Sequence, residues 1–257
     1  MQFPEGPIAM PDGSVILVEI MRGTLSRVMP DGEIQVVAEP GGGPNGAAMG
    51  PDGHCYICNN GGFEWSRSSR GLIFPGNQAS DYTTGRIEKI NVETGVVEKL
   101  YTHCDGEPLK GPNDIVFDKE GGFWFTDHGK NRARDRDRTG VYYATVDGQH
   151  IVEAIFPMEA PNGIGLSPDE NTLYVAETPT GRLWAYALAA PGEIDRSQRP
   201  CMMAQIPDHH MFDSLAVDAE GNVSFGVGHG LRTRAWMGQV ALGAIEATAE
   251  EKELHWR

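Results

Sequence analysis

The sequence predicts an all-β fold of the β-propeller type. Three observations predict it: five aligned copies of one short motif, a tight-turn signal at a fixed distance after each copy, and 33 Gly with 17 Pro in 257 residues, which disfavours a helical bundle. About five blades are visible, and the C-terminal blade reads as missing or altered. Residues 1–257 read as a single propeller domain, with 229–257 an atypical tail.

The motif occurs as Pro4-Glu5-Gly6, Pro44-Asn45-Gly46, Pro112-Asn113-Asp114, Pro161-Asn162-Gly163 and Phe212-Asp213-Ser214. A short apolar run follows each copy. Seven residues after each first position comes a turn, as in Pro11-Asp12-Gly13, Pro51-Asp52-Gly53 and Ala219-Glu220-Gly221. Second strands are expected at 15–18, 55–58, 123–126, 173–176 and 223–227. Third strands, each opened by Gly, are expected at 23–28, 85–90, 140–143 and 181–186, and fourth strands at 33–38, 96–100 and 151–156. Four short antiparallel strands per unit describe a propeller blade, whereas a β-sandwich does not require aligned copies.

The second unit is interrupted between its second and third strands by residues 61–82. This insertion carries Phe63, Trp65, Arg67 and Arg70, and is expected to form a mobile flap over one end of the channel. The fifth unit loses the pattern after about Gly228. Residues 241–257 are rich in Ala and Glu and look helical by propensity.

Acidic residues outnumber basic ones 36 to 21, a net charge of −15, which excludes nucleic acid and anionic membrane as natural partners. No apolar run approaches a membrane span, and the N-terminus lacks the features of a signal peptide, so the expected location is cytoplasmic. Cys55, Cys58, Cys104 and Cys201 then read as thiols. Cys55 and Cys58 lie three apart in a strand and point to opposite faces, one toward core and one toward surface, which argues against a metal or redox pair. His209-His210 reads as loop, and 132–138 as a solvated loop of mixed charge. No Gly-x-Ser-x-Gly elbow, P-loop or dinucleotide fingerprint occurs.

The second position of the repeat reads Glu5, Asn45, Asn113, Asn162 and Asp213, and each has a side-chain oxygen. First strands of propeller blades line the central channel, so these five residues are expected at one height on its axis. Carboxylates and carboxamides without Cys or His suit a hard cation, Ca²⁺ first. Asn or Asp as a simple turn cap would explain one such residue, not five in register. Fourteen residues later stand Glu19, Asn59 and Asp127, and Glu177 follows Asn162 by fifteen. Antiparallel pairing returns these residues to the starts of the first strands, as braces or as substrate contacts. Asn60, Asp127 and Glu177, with Asn45, are the candidate substrate-binding residues.

At Glu5-Gly6-Pro7, Pro44-Asn45-Gly46, Gly111-Pro112-Asn113-Asp114, Phe125-Thr126-Asp127, Pro161-Asn162-Gly163-Ile164 and Asp213-Ser214-Leu215, the chain resembles the gluconolactonase/senescence-marker-protein family, which includes the luciferin-regenerating enzyme. The resemblance runs from about residue 3 to about 228. It implies a six-bladed propeller with one divalent metal, Ca²⁺ or else Zn²⁺, Mg²⁺ or Mn²⁺, held by Glu5, Asn113, Asn162 and Asp213. It also implies hydrolysis of a small-molecule sugar lactone, with organophosphates as substrates of relatives. Ser214 departs from the Gly usual after the Asp. Asp213 is the expected general base, with Asp127 and Glu177 as alternatives. A non-catalytic propeller with a structural metal is the contrasting reading. The family pattern would continue through a sixth blade. The expectation is therefore a truncated or altered C-terminus, with low stability and self-association through unpaired strand edges.

Overall fold

The structure is a computed structural model and describes residues 1–69, 71–206 and 210–229. The expected flap residue Arg70, the loop residue His209 and the tail 230–257 lie outside them. No helix occurs among the described residues.

Blade one contains β1 (Pro4–Ala9), β2 (Val15–Glu19), β3 (Thr24–Val28) and β4 (Ile34–Ala38). Blade two begins with β5 (Pro44–Met49) and β6 (Cys55–Asn59). A hairpin of β7 (Phe63–Arg67) and β8 (Ile73–Gln78) follows, and β9 (Arg86–Ile90) and β10 (Val97–Tyr101) complete the blade. A two-residue ladder, β11 (His103–Cys104) with β12 (Glu107–Pro108), leads to blade three, which contains β13 (Pro112–Phe117), β14 (Phe123–Asp127), β15 (Thr139–Ala144) and β16 (Ile151–Met158). Blade four contains β17 (Pro161–Leu166), β18 (Thr172–Glu177), β19 (Arg182–Ala190), the side strand β20 (Glu193–Ile194) and the outer strand β21 (Cys201–Gln205). Of blade five the described strands are β22 (His210–Val217) and β23 (Val223–His229). His210 thus opens a strand rather than sitting in a loop.

Each of the first three blades is a four-stranded antiparallel sheet in sequence order, blade four is five-stranded with β20 and β21 both paired to β19, and the β7–β8 hairpin stands apart as its own sheet. Inner strands pack on one another in succession, β1 on β5, β5 on β13, β13 on β17 and β17 on β22. The core follows the same radial plan, because the alternating side chains of each second strand enter the seams on its two sides. Ile16, Val18, Cys55 and Ile57 fill the first seam. Tyr56, Cys58, Phe123 and Phe125 fill the next. Trp124, Leu173 and Val175 occupy the third, and Tyr174, Ala176, Phe212 and Phe225 the fourth. Both Cys55 and Cys58 are therefore core residues, on opposite faces of one sheet. The expectation of one surface thiol fails because both faces of blade two are covered.

The turns after the inner strands share one chemistry. The Oδ1 atoms of Asp12, Asp52, Asp169 and Asp218 each accept the backbone N–H two residues ahead. The third residue of each turn is left-handed, with Gly13, Gly53, Gly121 and Gly221 at φ of +76° to +89° and Glu170 at +57°.

The insertion is a hydrogen-bonded hairpin rather than an open loop. The segment 131–138 is also more structured than a solvated loop. Asn131 pairs with Arg136 as a β-bridge, and Arg132 is ion-paired to both Asp135 and Asp137.

Candidate metal centre

Four of the inner strands begin on proline, which has no N–H to leave unpaired at a strand's first residue. Those prolines pair with the ends of the second strands: Pro4 with Glu19, Pro44 with Asn59, Pro112 with Asp127 and Pro161 with Glu177. Immediately after this pair every inner strand carries a bulge, between Glu5 and Ile8, Pro44 and Ala47, Pro112 and Ile115, Pro161 and Ile164, and Phe212 and Leu215. A bulge re-aims the side chains of the residues it contains. Asn45, Asn113, Asn162 and Asp213 stand inside their bulges, and Glu5 borders its own.

Glycine at the third repeat position permits the close approach of these strands. A Cβ on Gly6 would stand 2.7 Å from Ala47 N, one on Gly46 2.4 Å from Asn113 O, and one on Gly163 2.4 Å from Leu215 N. Blade three has Asp114 at this place. Its backbone N–H donates to Thr126 Oγ1 (3.1 Å), and its carboxylate accepts from the amides of Ile115 (2.9 Å) and Ile164 (3.4 Å). Thr126 Oγ1 in turn donates to Asn162 O at 2.6 Å, tying blade three to blade four.

Three carboxylates share this region. Burial, then the charges of Asp213 and Asp114, push the Glu5 carboxyl up to about 8. Burial pushes Asp114 up to about 7 against two backbone amides, with Asp213 adding to it. Burial also raises Asp213, opposed by hydrogen bonds from Asn162 and the Ser214 amide. Carboxylates crowded at low dielectric favour either protons or a cation.

The carboxamides supply the complement. Asn162 Nδ2 donates to Asp213 Oδ1 (3.0 Å) and Thr178 Oγ1 (3.1 Å), whereas Asn162 Oδ1 is buried with no hydrogen-bond partner. A buried orphan oxygen beside three carboxylates is what a hard cation would satisfy. Among the described residues no group of three or more His, Cys, Asp or Glu is arranged to hold a metal alone, so carboxamides are needed in the donor set. The residues present fit a hard divalent cation.

The braces repeat as regularly as the ring. Glu19 Oε2 accepts Gln2 N at 2.6 Å, and Asn59 Oδ1 accepts Gly43 N at 2.9 Å. Asp127 accepts the amides of Lys110 and Gly111, both at 2.7 Å, and of Gly129 at 2.9 Å. Glu177 accepts Glu159 N (2.9 Å), Thr180 Oγ1 (2.8 Å) and Trp184 Nε1 (3.1 Å). Each brace thus fixes the segment leading into its own inner strand. Asn60 Oδ1 accepts Gly62 N (2.8 Å) and Lys130 Nζ (3.3 Å) at the base of the hairpin. The structure therefore spends the polar oxygens of Asn60, Asp127 and Glu177 inside the protein.

Two residues escaped the sequence reading. Asp114 was legible only as a departure from Gly at the third repeat position. Lys130 is 1% exposed, and burial pushes its ammonium down to about 7 against the charges of Asp127 and Asp137. Nothing local in the sequence marks it.

Radial sheets whose inner strands pack on one another in succession define a β-propeller type of fold. The chain belongs to the SMP-30/Gluconolactonase/LRE-like family, whose sequence model matches residues 3–242. It is 28% identical over 215 residues to the lactonase drp35 of Staphylococcus aureus, covering 82% of this chain and 59% of that protein. The chain thus spans well under two thirds of the length of this curated relative. Among solved structures it is similar to a gluconolactonase from Xanthomonas campestris, with TM-score 0.67, 22% identity and coverage of 88% and 70% of the two chains. It is also similar to the calcium-binding protein regucalcin from Agrobacterium tumefaciens, with TM-score 0.66, 19% identity and coverage of 88% and 68%. These likenesses bear out the propeller-type fold. No helix among the described residues is long and apolar enough to cross a membrane.

Proposed function

We propose that the protein is a metal-dependent hydrolase that opens a sugar lactone at the ring of oxygen donors. The observation that carries this reading is the recurrent bulge at the second repeat position, which sets Glu5, Asn45, Asn113, Asn162 and Asp213 at equivalent places in five blades. The names of the relatives, lactonase and gluconolactonase, support the substrate class.

Glu5, Asn113, Asn162 and Asp213 would hold one divalent cation, Ca²⁺ first; the all-oxygen donor set suits Mg²⁺ or Mn²⁺ as well and Zn²⁺ less. Bound there, the cation would polarise the lactone carbonyl and offset the charge that develops on its oxygen. Asn162 Nδ2 and the Ser214 amide orient the Asp213 carboxylate. Asp213 takes a proton from the attacking water as its oxygen bonds to the carbonyl carbon. The ring C–O bond then breaks, and the proton passes to the departing alkoxide oxygen, leaving a hydroxy acid. Asn45 contacts substrate oxygen.

Lactone hydrolysis with calcium and with chelator tests the reading. Calcium-dependent turnover is expected. Hydrolysis of a phosphotriester with no lactone turnover would move the substrate to the phosphoester class. Calcium-dependent melting without turnover of either would leave a binding module with a structural metal.

A further inference from the structure

The β7–β8 hairpin and the segments that flank it touch the lead-in segments of three inner strands. Trp65 packs on Phe3, two residues before Glu5, with ring centroids 5.2 Å apart. At the base of the hairpin, Asn60 N donates to Gly43 O at 2.8 Å, two residues before Asn45. Tyr82 OH, on the return segment, donates to Lys110 O at 2.6 Å, three residues before Asn113. The hairpin therefore stands at the end of the channel where the ring residues lie.

Blade three holds it there. Gln78 N donates to Asn131 O at 2.8 Å, and Arg132 Nη1 donates to Gln78 Oε1 at 3.4 Å. The deepest attachment is Lys130. Its Nζ donates to Gly62 O at 2.6 Å and to Asn60 Oδ1 at 3.3 Å, and lies 3.8 Å from the Phe63 ring centroid and 5.7 Å from that of Tyr82. With Asn60 Oδ1 taken by Lys130 and Gly62, the buried Asn60 Nδ2 has no partner. A buried ammonium and an orphaned amide both weaken a fold. An apolar side chain of similar length would avoid the buried ammonium but release Gly62 O and one bond to Asn60 Oδ1, so what the lysine supplies here is a hold on the base of the hairpin.

We propose that Lys130 is a positioning residue whose ammonium pins the β7–β8 hairpin across the lead-ins of the inner strands, and so fixes the cover that holds a substrate over the ring of oxygen donors. The substrate part of this inference rests on the hydrolase reading; the pinning does not. The Phe63 face supplies the cation–π side of the pin, and the two carbonyl oxygens supply its hydrogen-bonded side.

The test uses the full chain with Lys130→Met, which keeps the apolar stem, and Lys130→Arg, which keeps the charge. Three quantities are measured: lactone kinetics with calcium, amide hydrogen exchange of a peptide spanning 63–78, and Tm. For Lys130→Met the expected result is exchange in 63–78 faster by about tenfold or more, with other strands unchanged. KM should rise by about tenfold with kcat within about twofold, the pattern of lost substrate binding. Lys130→Arg should recover most of both effects. If Lys130→Met does not fold, Phe63→Leu, which removes the ring face, should shift exchange and KM in the same direction by less. Wild-type exchange in 63–78, or wild-type KM alongside faster exchange, would overturn the proposal. So would a fall in Tm with kcat and KM changing together, since that marks a purely structural lysine. If the wild-type chain hydrolyses no lactone, the hydrolase reading falls, while exchange still decides whether Lys130 pins the hairpin.

Discussion

Asn162 Nδ2 lies 3.0 Å from Asp213 Oδ1 and donates to it, joining equivalent ring positions of neighbouring blades. One carboxamide thus divides its labour, with its nitrogen orienting a carboxylate and its oxygen left open. Asp213→Asn keeps an oxygen at the position and removes the proton acceptor. Lactone turnover should fall by about 10² or more, with Tm nearly unchanged, as expected for loss of a general base. Turnover close to wild type would give the proton transfer to another group.

Calcium should stabilise the protein, because the open Asn162 Oδ1 and the raised carboxyls of Glu5 and Asp213 gain a partner. Binding to the native state alone contributes RT ln(1 + [L]/Kd), about 2.7 kcal/mol at a hundredfold excess over Kd. Melting curves with calcium and with chelator measure this. Identical midpoints, with no bound metal by elemental analysis, would remove the metal centre.

The pH dependence of the chelated protein follows from the same carboxyls. Glu5 is raised from 4.5 to about 8 and Asp114 from 3.8 to about 7, so the folded chain holds their protons more tightly than the unfolded chain. Their contribution to stability is full below about pH 4 and is lost as pH rises through about 7 to 8. Chelated protein should therefore lose Tm across that window, and calcium, which binds the ionised forms, should flatten the slope. Equal slopes with and without calcium would contradict this.

Gly163 tests the spacing of the inner strands separately from their chemistry. Its φ is ordinary, so the cost of Gly163→Ala comes from a Cβ 2.4 Å from Leu215 N and 2.7 Å from Asp213 O. Backbone on both sides cannot yield locally, and a loss of about 1–3 kcal/mol is expected. Gly226→Ala, whose Cβ would meet nothing nearer than 3.4 Å, serves as the control. Equal Tm for the two variants would show that the strands can separate without penalty.

What the sequence revealed is what repeats. Pro at four of the repeat starts, with Phe212 at the fifth, and an oxygen-bearing residue after each of the five are local features of one bulged strand, so repetition made them visible. Asp114 stayed hidden because an Asp after Asn reads as turn chemistry, and its partner, the Ile164 amide, is 50 residues away. Lys130 reaches Asn60 and Gly62 across 70 and 68 residues, a relationship without local pattern. The hairpin strands stayed hidden because each is short and neither matches the repeat that marks the blade strands. The outer strand of blade four, Cys201–Gln205, was missed because a detour through Glu193–Ile194 separates it from its partner.

Asp127 separates a brace from a ligand contact. Its two oxygens accept three backbone amides, from Lys110, Gly111 and Gly129, and burial pushes its carboxyl up to about 6. Asp127→Ala would strand those amides, at about 1–3 kcal/mol for each one left buried and unpaired. That is a large share of the roughly 5–15 kcal/mol that holds a typical domain together. Asp127→Asn keeps one acceptor oxygen and should fall between the two. The variants should therefore lose Tm in the order Asn then Ala. The Asn variant, assayed well below its midpoint, should keep kcat within about threefold, because a brace acts on position and not on protons. A group that took the proton from water would show the reverse, with Tm intact and turnover down by about 10². Glu177→Gln, which keeps an acceptor for the Glu159 amide, should behave as Asp127→Asn does. A collapse of kcat in either variant at unchanged Tm would return that carboxylate to the chemistry.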